Sequence, residues 1–497
     1  MLADYILSLS IWVPILAGVL VLALGSDTRA CFTRWLALLG GVAGFAVTLP
    51  LYFQFDNTEI AFQFVEMAAW IPAFNINYLL GADGFSVPLI LLTSFTTIIA
   101  IVASWEVITK NIAQYMAAFL IMSGLMVGVF SALDSMLYYV FWEAMLIPMF
   151  LIIGIWGGQN RVYATIKFFL YTLLGSLLML VVFIYLFHRT GSFNIVDYYR
   201  LPLTLKEQIL IFGAFFMAFA VKIPMWPVHT WLPDAHVEAP TAGSIVLAAV
   251  MLKLGGYSFI RFAMPIAPDA SHYLTGYMIA LSLVAILYIA LVALVQKDMK
   301  KLIAYSSISH MGFVTLGFFL FSQLGLEGAI VQMISHGFIS AAMFLCVGVL
   351  YDRMHSRQIA DYGGVANTMP IFTAFVVLFA MANSGLPGTS GFVGEFMVIL
   401  ASVKYNFWVA FVAATTLIFG ASYTLWMVKR VFYGEVANDK VSVLKDLTRR
   451  EFVLLSVLAV FTIGIGVYPQ VITELTQTTS AQFLNHMAIS KLPAAGM

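Results

Sequence analysis

Apolar runs of about 20 residues, the length that crosses a hydrocarbon core of roughly 30 Å, follow one another from one end of this 497-residue chain to the other. About fourteen are expected, near 4–24, 33–53, 84–104, 114–131, 133–156, 162–188, 207–231, 241–264, 273–295, 301–321, 326–351, 369–403, 405–432 and 451–471. A chain that is 62% hydrophobic and only 10% charged would aggregate as a soluble domain, so the runs belong in a membrane. The expected fold is an all-α polytopic membrane protein with short connections and no separate soluble domain.

The placement of charge tests that count. Net charge is zero, which leaves no overall basic or acidic surface to argue for nucleic acid or acidic substrates. Sixteen lysines and arginines fall in one set of alternate connections and six in the other, with Lys222 and Lys253 left inside the spans. Basic residues accumulate in cytoplasmic loops, so both termini are expected outside the cytoplasm and the number of spans is even. The connection from Asp56 to Asp83 carries four acids and no base, as a non-cytoplasmic loop can. Asp4 and no basic residue precede the run Ile6 to Leu24, which therefore reads as a retained first helix and not as a cleaved signal. Cys31 and Cys346 lie far apart in apolar segments and offer neither a metal motif nor a disulfide framework.

Two spans carry breakers. VKIPMWPVHTWLPDAH (221 to 236) interrupts the seventh with Pro224, Pro227 and Pro233, and SGLPGTSGFVGE (384 to 395) interrupts the twelfth. Broken helices in comparable places in two halves suggest an internal repeat with a site near the membrane midplane. Each break has an ionisable residue beside it. Lys222 ends the apolar stretch before the first, and an ammonium at such depth costs about 2.5–3.5 kcal/mol on insertion scales. Glu395 follows the second, among glycines that admit close packing or water.

Glu143, in YYVFWEAMLIPMF (138 to 150), is mid-span in the fifth run and is the natural counter-ion for Lys222; the alternative is an ion pair that only holds two helices together. Lys253 follows in AAVMLKLGGY (248 to 257), where Gly255 and Gly256 permit close helix approach; it either exchanges protons or snorkels to an interface. His310 in SSISHMGF (306 to 313) and His336 in MISHGFISAAMF (333 to 344) lie on adjacent spans and can relay protons near neutral pH, or else pack as hydrogen-bonded core histidines. His229 and His236 follow Lys222 by seven and fourteen residues, a spacing that would share one face of a continuous helix, but the prolines interrupt it; a loop-ordering or proton-entry role is expected, with His229 as the entry group. Zinc ligation with Asp234 and Glu238 is the weaker reading.

Together, Glu143 in FWE, VKIPMWPVHTWLPDAH, Lys253, QKDMKKLIAYSSISHMG (296 to 312) and GLPGTSGFVGEF (385 to 396) resemble the antiporter-like membrane subunits of respiratory complex I over nearly the whole chain. Glutamate at 395, where the L and N branches and Mrp-type sodium/proton antiporters usually carry lysine, is similar to the M-type branch, chain 4 in mitochondria. The resemblance implies two inverted five-helix repeats, spans 4–8 and 9–13, with broken helices 7 and 12. It also implies a proton channel on Glu143, Lys222, Lys253 and Glu395, with His310 and His336 in a hydrated central axis. The units expected are 1–110, N-terminal helices; 111–265, first repeat; 266–432, second repeat; and 433–497, a cytoplasmic connector, the last span and a non-cytoplasmic tail.

No cofactor is expected in this chain, which lacks a dinucleotide fingerprint and a cysteine cluster; NADH, flavin (FMN), iron–sulfur clusters and quinone are implied for other subunits. Implied partners are other membrane subunits, including two further antiporter-like chains on either side, together with lipids, in a bacterial cytoplasmic membrane. The rivals are an Mrp-type antiporter subunit, the membrane subunit of a related hydrogenase, and a structural membrane scaffold.

Overall fold

The computed structural model describes residues 5–493; Asp4, and with it the start of the first expected span, lies outside them. Every expected span contains helix. The first four are α1 (Ile6–Leu24), α2 (Ala30–Phe53), α3 (Ser86–Ala103) and α4 (Ile112–Ser131). The fifth is two pieces, α5 (Ser135–Ala144) and α6 (Leu146–Trp156), meeting at Met145. Pro148 accounts for the joint, because it has no N–H to return to the carbonyl four residues earlier. The sixth is α7 (Arg161–Thr190), followed by the short connecting helix α8 (Ile195–Arg200).

The seventh span divides into α9 (Leu205–Lys222) and α10 (Trp231–Glu238) across the proline-rich stretch. The eighth is continuous but irregular. α11 (Thr241–Val246), a π-helical turn (Leu247–Met251), α12 (Leu252–Ser258), a second π-helical turn (Phe259–Ala263) and α13 (Met264–Ile266) follow in register. After α14 (Pro268–Tyr273) come α15 (Thr275–Leu294), α16 (Met299–Phe319) and α17 (Gln323–Met354). The twelfth span divides into α18 (Pro370–Asn383) and α19 (Ser390–Tyr405); then follow α20 (Phe407–Phe432), α21 (Asp439–Ser442), α22 (Arg449–Val467) and α23 (Gln470–Met487). Among the described residues twelve helical segments are long and apolar enough to cross a membrane; the seventh and twelfth spans, each in two pieces, are not among them.

Two sequence expectations, an all-helical fold and the loop placement of two basic residues, need correction. The fold is not purely helical: β1 (Gln63–Ile71) pairs antiparallel with β2 (Ile76–Ala82) inside the acidic loop. Asn75 turns the chain there in the left-handed region, φ 53°, which asparagine tolerates better than most residues. Glu66 on β1 is buried because its carboxylate accepts the Leu7 and Ser8 amides at the start of α1, so this acid caps a helix instead of facing water. The C-terminal tail is largely the helix α23. Arg261 and Lys300, assigned to loops by their positions near span ends, are buried within helical segments.

The connections are laced to one another at each end of the bundle. On the basic end, Asp27 accepts the Asn111 and Ile112 amides at 2.8 Å, Trp156 donates to Lys110 O at 2.9 Å, and Glu238 accepts the Asn160 amide at 2.9 Å. Lys300 donates to Ala239 O, Arg357 pairs with Asp298 at 3.4 Å and Arg450 with Glu106 at 3.1 Å. On the opposite end Asn75 donates to Gly191 O, Asp134 accepts the Asn77 amide, and Gly84 N–H donates to Thr479. The alternation read from charge is thus matched by two separate sets of contacts. Between them, Ala242–Ile266 and Gly328–Leu350 are buried along their whole length, and these stretches carry Lys253 and His336.

Candidate functional site

Two close approaches put the buried ionisable residues within reach of one another. Gly255 lies so near α9 that a Cβ there would stand 2.6 Å from Ile223 N and 2.8 Å from Phe219 O. Gly394 lies equally near α17, where a Cβ would stand 2.7 Å from Gln332 N and Cα. Small residues permit such contacts in membranes, where apolar burial between helices brings little gain. The first approach seats Lys253 in the centre, and the second brings Glu395 against α17.

Lys253 is fully buried, which removes the snorkelling alternative. Its ammonium donates to Ala248 O at 2.6 Å, beside the first π-helical turn, and meets His336 Nδ1 at 2.7 Å. The His336 and His310 rings stand 5.7 Å apart between centroids. His310 Nδ1 is 2.6 Å from Glu395 Oε1, and Gln332 Nε2 donates to the same oxygen at 3.0 Å. Lys253, His336, His310 and Glu395 therefore form one buried line crossing α12, α17, α16 and α19. Imidazoles hold a proton on either nitrogen, and the line begins at an amine and ends at a carboxyl, so every member can give and take a proton.

The expected pair behaves differently. Lys222 is buried at the end of α9, with its ammonium 5.2 Å above the Trp142 ring and 5.7 Å above Phe168, and without a hydrogen-bond acceptor among the described residues. Glu143 is half-buried at the end of α5; Lys222 is a charge that acts on it, but no ion pair within 4.0 Å joins them. The lysine is held by aromatic faces instead of by its acid. The break beside it is closed locally, since Trp231 Nε1 donates to Val221 O at 2.8 Å and Met225 N–H to Ala220 O at 2.8 Å.

His229 sits in that break, buried, with Lys167 as its charged neighbour, and does not join the line. Asp234, considered as a zinc ligand, pairs with Lys167 at 2.7 Å, and no group of three possible metal ligands occurs among the described residues.

A family model described as "NADH:quinone oxidoreductase/Mrp antiporter, TM" matches residues 132–420, and one described as "NADH-ubiquinone oxidoreductase chain 4, amino terminus" matches 44–130. The chain belongs to this family. A relative within it, NADH-quinone oxidoreductase subunit M of Rhodobacter capsulatus, is 49% identical over 97% of this chain and 96% of that protein. A chain of respiratory complex I from Thermus thermophilus superposes with a TM-score of 0.88 at 30% identity, covering 98% of this chain and 99% of that one. A chain of the Mrp complex from a Dietzia species shares the fold, with a TM-score of 0.83 at 21% identity over 98% and 99% of the two chains.

Sequence reasoning within the NADH:quinone oxidoreductase/Mrp antiporter family missed several residues of this site. Gln332 lies one turn before His336, a polar side chain in an apolar run at the i, i+4 spacing that shares a helix face. His236 was grouped with His229, yet the structure sets it apart: it is fully buried, stacked on Phe344 at 4.3 Å, with Lys253, Lys300 and His336 as its ionisable neighbours. Asp83 and Arg261 pair at 2.6 Å, both buried, and Arg261 also donates to Tyr257 at 3.0 Å. No sequence spacing relates residues 178 positions apart.

Proposed function

We propose that the chain is the proton-translocating membrane subunit of an NADH:quinone oxidoreductase, moving protons along the buried line Lys253–His336–His310–Glu395 while redox chemistry proceeds in other subunits. The observation that carries this reading is the line itself: four ionisable side chains in an enclosed, apolar interior, two pairs in hydrogen-bond contact and the pairs joined by adjacent rings. A bilayer-buried charge is expensive, and four in sequence suit a transfer path better than a packing role. Glu143 and Lys222 form the input side. A change in the field between them decides which carries the proton, and Lys253 receives the effect next. Moving one proton against 100 mV requires about 2.3 kcal/mol, the scale of a pKa change of under two units. His229, in the break, is an entry group from the basic end.

In this reading the two broken spans cross the membrane as well, giving fourteen crossings, with spans 4–8 (111–265) and 9–13 (266–432) as two inverted repeats beside an N-terminal unit, 1–110, and a C-terminal one, 433–497. The loops laced at the basic end face the cytoplasm and both termini lie on the other side of a bacterial inner membrane. Two other antiporter-like chains flank it, and NADH, FMN, iron–sulfur clusters and quinone belong to other subunits of the assembly. The test is Glu395→Gln and Lys253→Met in the assembled enzyme reconstituted in vesicles. Quinone-linked acidification is expected to fall at least tenfold while the complex still assembles; full acidification in Lys253→Met overturns the reading. Sodium-dependent transport by the chain alone would instead favour an Mrp-type antiporter, and co-purification with hydrogenase subunits a related hydrogenase.

A further inference from the structure

Behind Glu395, on the side facing the basic end, four polar side chains form a buried cluster. Asn383, the last residue of α18, donates through Nδ2 to Ser306 Oγ at 3.0 Å and to Thr424 Oγ1 at 3.1 Å. Tyr423 donates to the same Ser306 Oγ at 3.1 Å. Ser306 precedes His310 by four residues on α16, and Thr424 lies in the half of α20 that leads to the basic connections after Phe432. Of the four, Asn383 alone lines a cavity of about 10 Å³ that it shares with His310, Gln332, His336 and Glu395. That volume is about one water molecule's room, and two buried atoms of its lining residues, His310 Nε2 and Gln332 Oε1, have no hydrogen-bond partner among the described residues.

We infer that Asn383 is a positioning residue that insulates Glu395 from the basic end of the protein. The chemistry follows from the side-chain type. A carboxyl on one side and hydroxyls on the other can each pass a proton along a hydrogen-bonded chain, but a carboxamide between them neither accepts nor releases one near neutral pH. Both amide hydrogens are committed to hydroxyl oxygens, so the cluster is a chain of fixed donors with a non-titratable link where it meets the cavity. The same two hydrogen bonds tie the end of α18, where the second break begins, to α16 and α20. An exchangeable group in the carboxamide's place would let a proton leave Glu395, cross the cavity and continue through Ser306 or Thr424 toward the basic loops, short-circuiting a path that should end elsewhere.

This inference rests on Glu395 being a proton-transfer group, and the test separates the two. The assembled complex is reconstituted in vesicles without NADH, a potassium diffusion potential is imposed with valinomycin, and passive proton uptake is followed with a pH-sensitive dye. Asn383→Asp is expected to raise uptake several-fold, Asn383→Leu to leave it at the wild-type level, and Asn383→Asp combined with Glu395→Gln to return it to that level. No rise in Asn383→Asp overturns the inference, as does an equal rise in the leucine variant, which marks mere loosening of the helix break. A leak that persists in the double variant also overturns it. If instead Glu395→Gln alone leaves turnover-linked acidification intact, the proposed function fails, whatever the leak.

Discussion

At the scale of single residues, the site works by giving each buried charge a different kind of neighbour. Glu395 has an imidazole and an amide, Lys253 an imidazole and a carbonyl, and Lys222 two aromatic faces. Gln332 is the carboxamide that donates to the Glu395 carboxyl, and a buried hydrogen bond contributes about 0.5–1.5 kcal/mol, up to about 3 where a partner is charged. Gln332→Leu is therefore expected to slow quinone-linked turnover of the purified complex by roughly tenfold, at 1.36 kcal/mol per decade; an unchanged rate would mean that the amide only fills space. The ionisable residues were legible in the sequence because a charge inside a twenty-residue apolar run has no cheap explanation. Their pairing was not. Glu143 and Lys222 looked like partners because each is a lone charge within an apolar span, whereas contact is decided by which helix faces approach, as they do at Gly255 and Gly394.

Helices and their interruptions carry the next level. Proline and glycine announced both broken spans, whose physical cause, a missing N–H or a backbone that must take a positive φ, is local. Gly385 and Gly388 adopt φ of 76° and 89° in the second break, where a side chain would be strained. The two π-helical turns beside Lys253 have no such signature, since an extra residue per turn is selected by packing. Gly255 and Gly256 separate two kinds of crowding. A methyl at 255 meets backbone, which cannot move, while one at 256 meets the flexible Met333 side chain at 2.8 Å. Gly255→Ala should lower the melting temperature and yield of the complex, costing about 1–3 kcal/mol, and Gly256→Ala should be the milder change. The end of the chain offers a pH test outside the membrane. Lys491 donates to Tyr198 O at 2.7 Å and Ile266 O at 2.9 Å, and burial pushes its amine down to about 8 from 10.5, opposed by Asp269. The docked state thus binds fewer protons than the free one between those values, so docking strengthens as pH rises from 8 toward 10.5 and is insensitive below 8. Hydrogen exchange of the amides near Lys491 is expected to slow accordingly, after correction for intrinsic rates, and Lys491→Met should abolish the trend.

Across the whole molecule, the order and alternation of spans were readable because hydrophobic length and loop charge are both summed over many residues. The hairpin was not, because its acids looked solvated until Glu66 was seen capping α1. Arg261 escaped for a similar reason: it lies near a span end, and only the fold brings Asp83 to it. That pair ties the short turn between the hairpin and α3 to the eighth span. Arg261→Met leaves a buried carboxylate alone and is expected to cost about 3–5 kcal/mol in thermal unfolding of the complex, whereas Asp83→Leu combined with Arg261→Met should recover most of it. A third large-scale feature is the lacing of the connections into two rims. Stitched edges with interrupted struts between them place the two breaks away from both rims. A rearrangement at either break therefore needs no rim contact to be broken, so the two faces of the protein can keep their outline while the interior shifts.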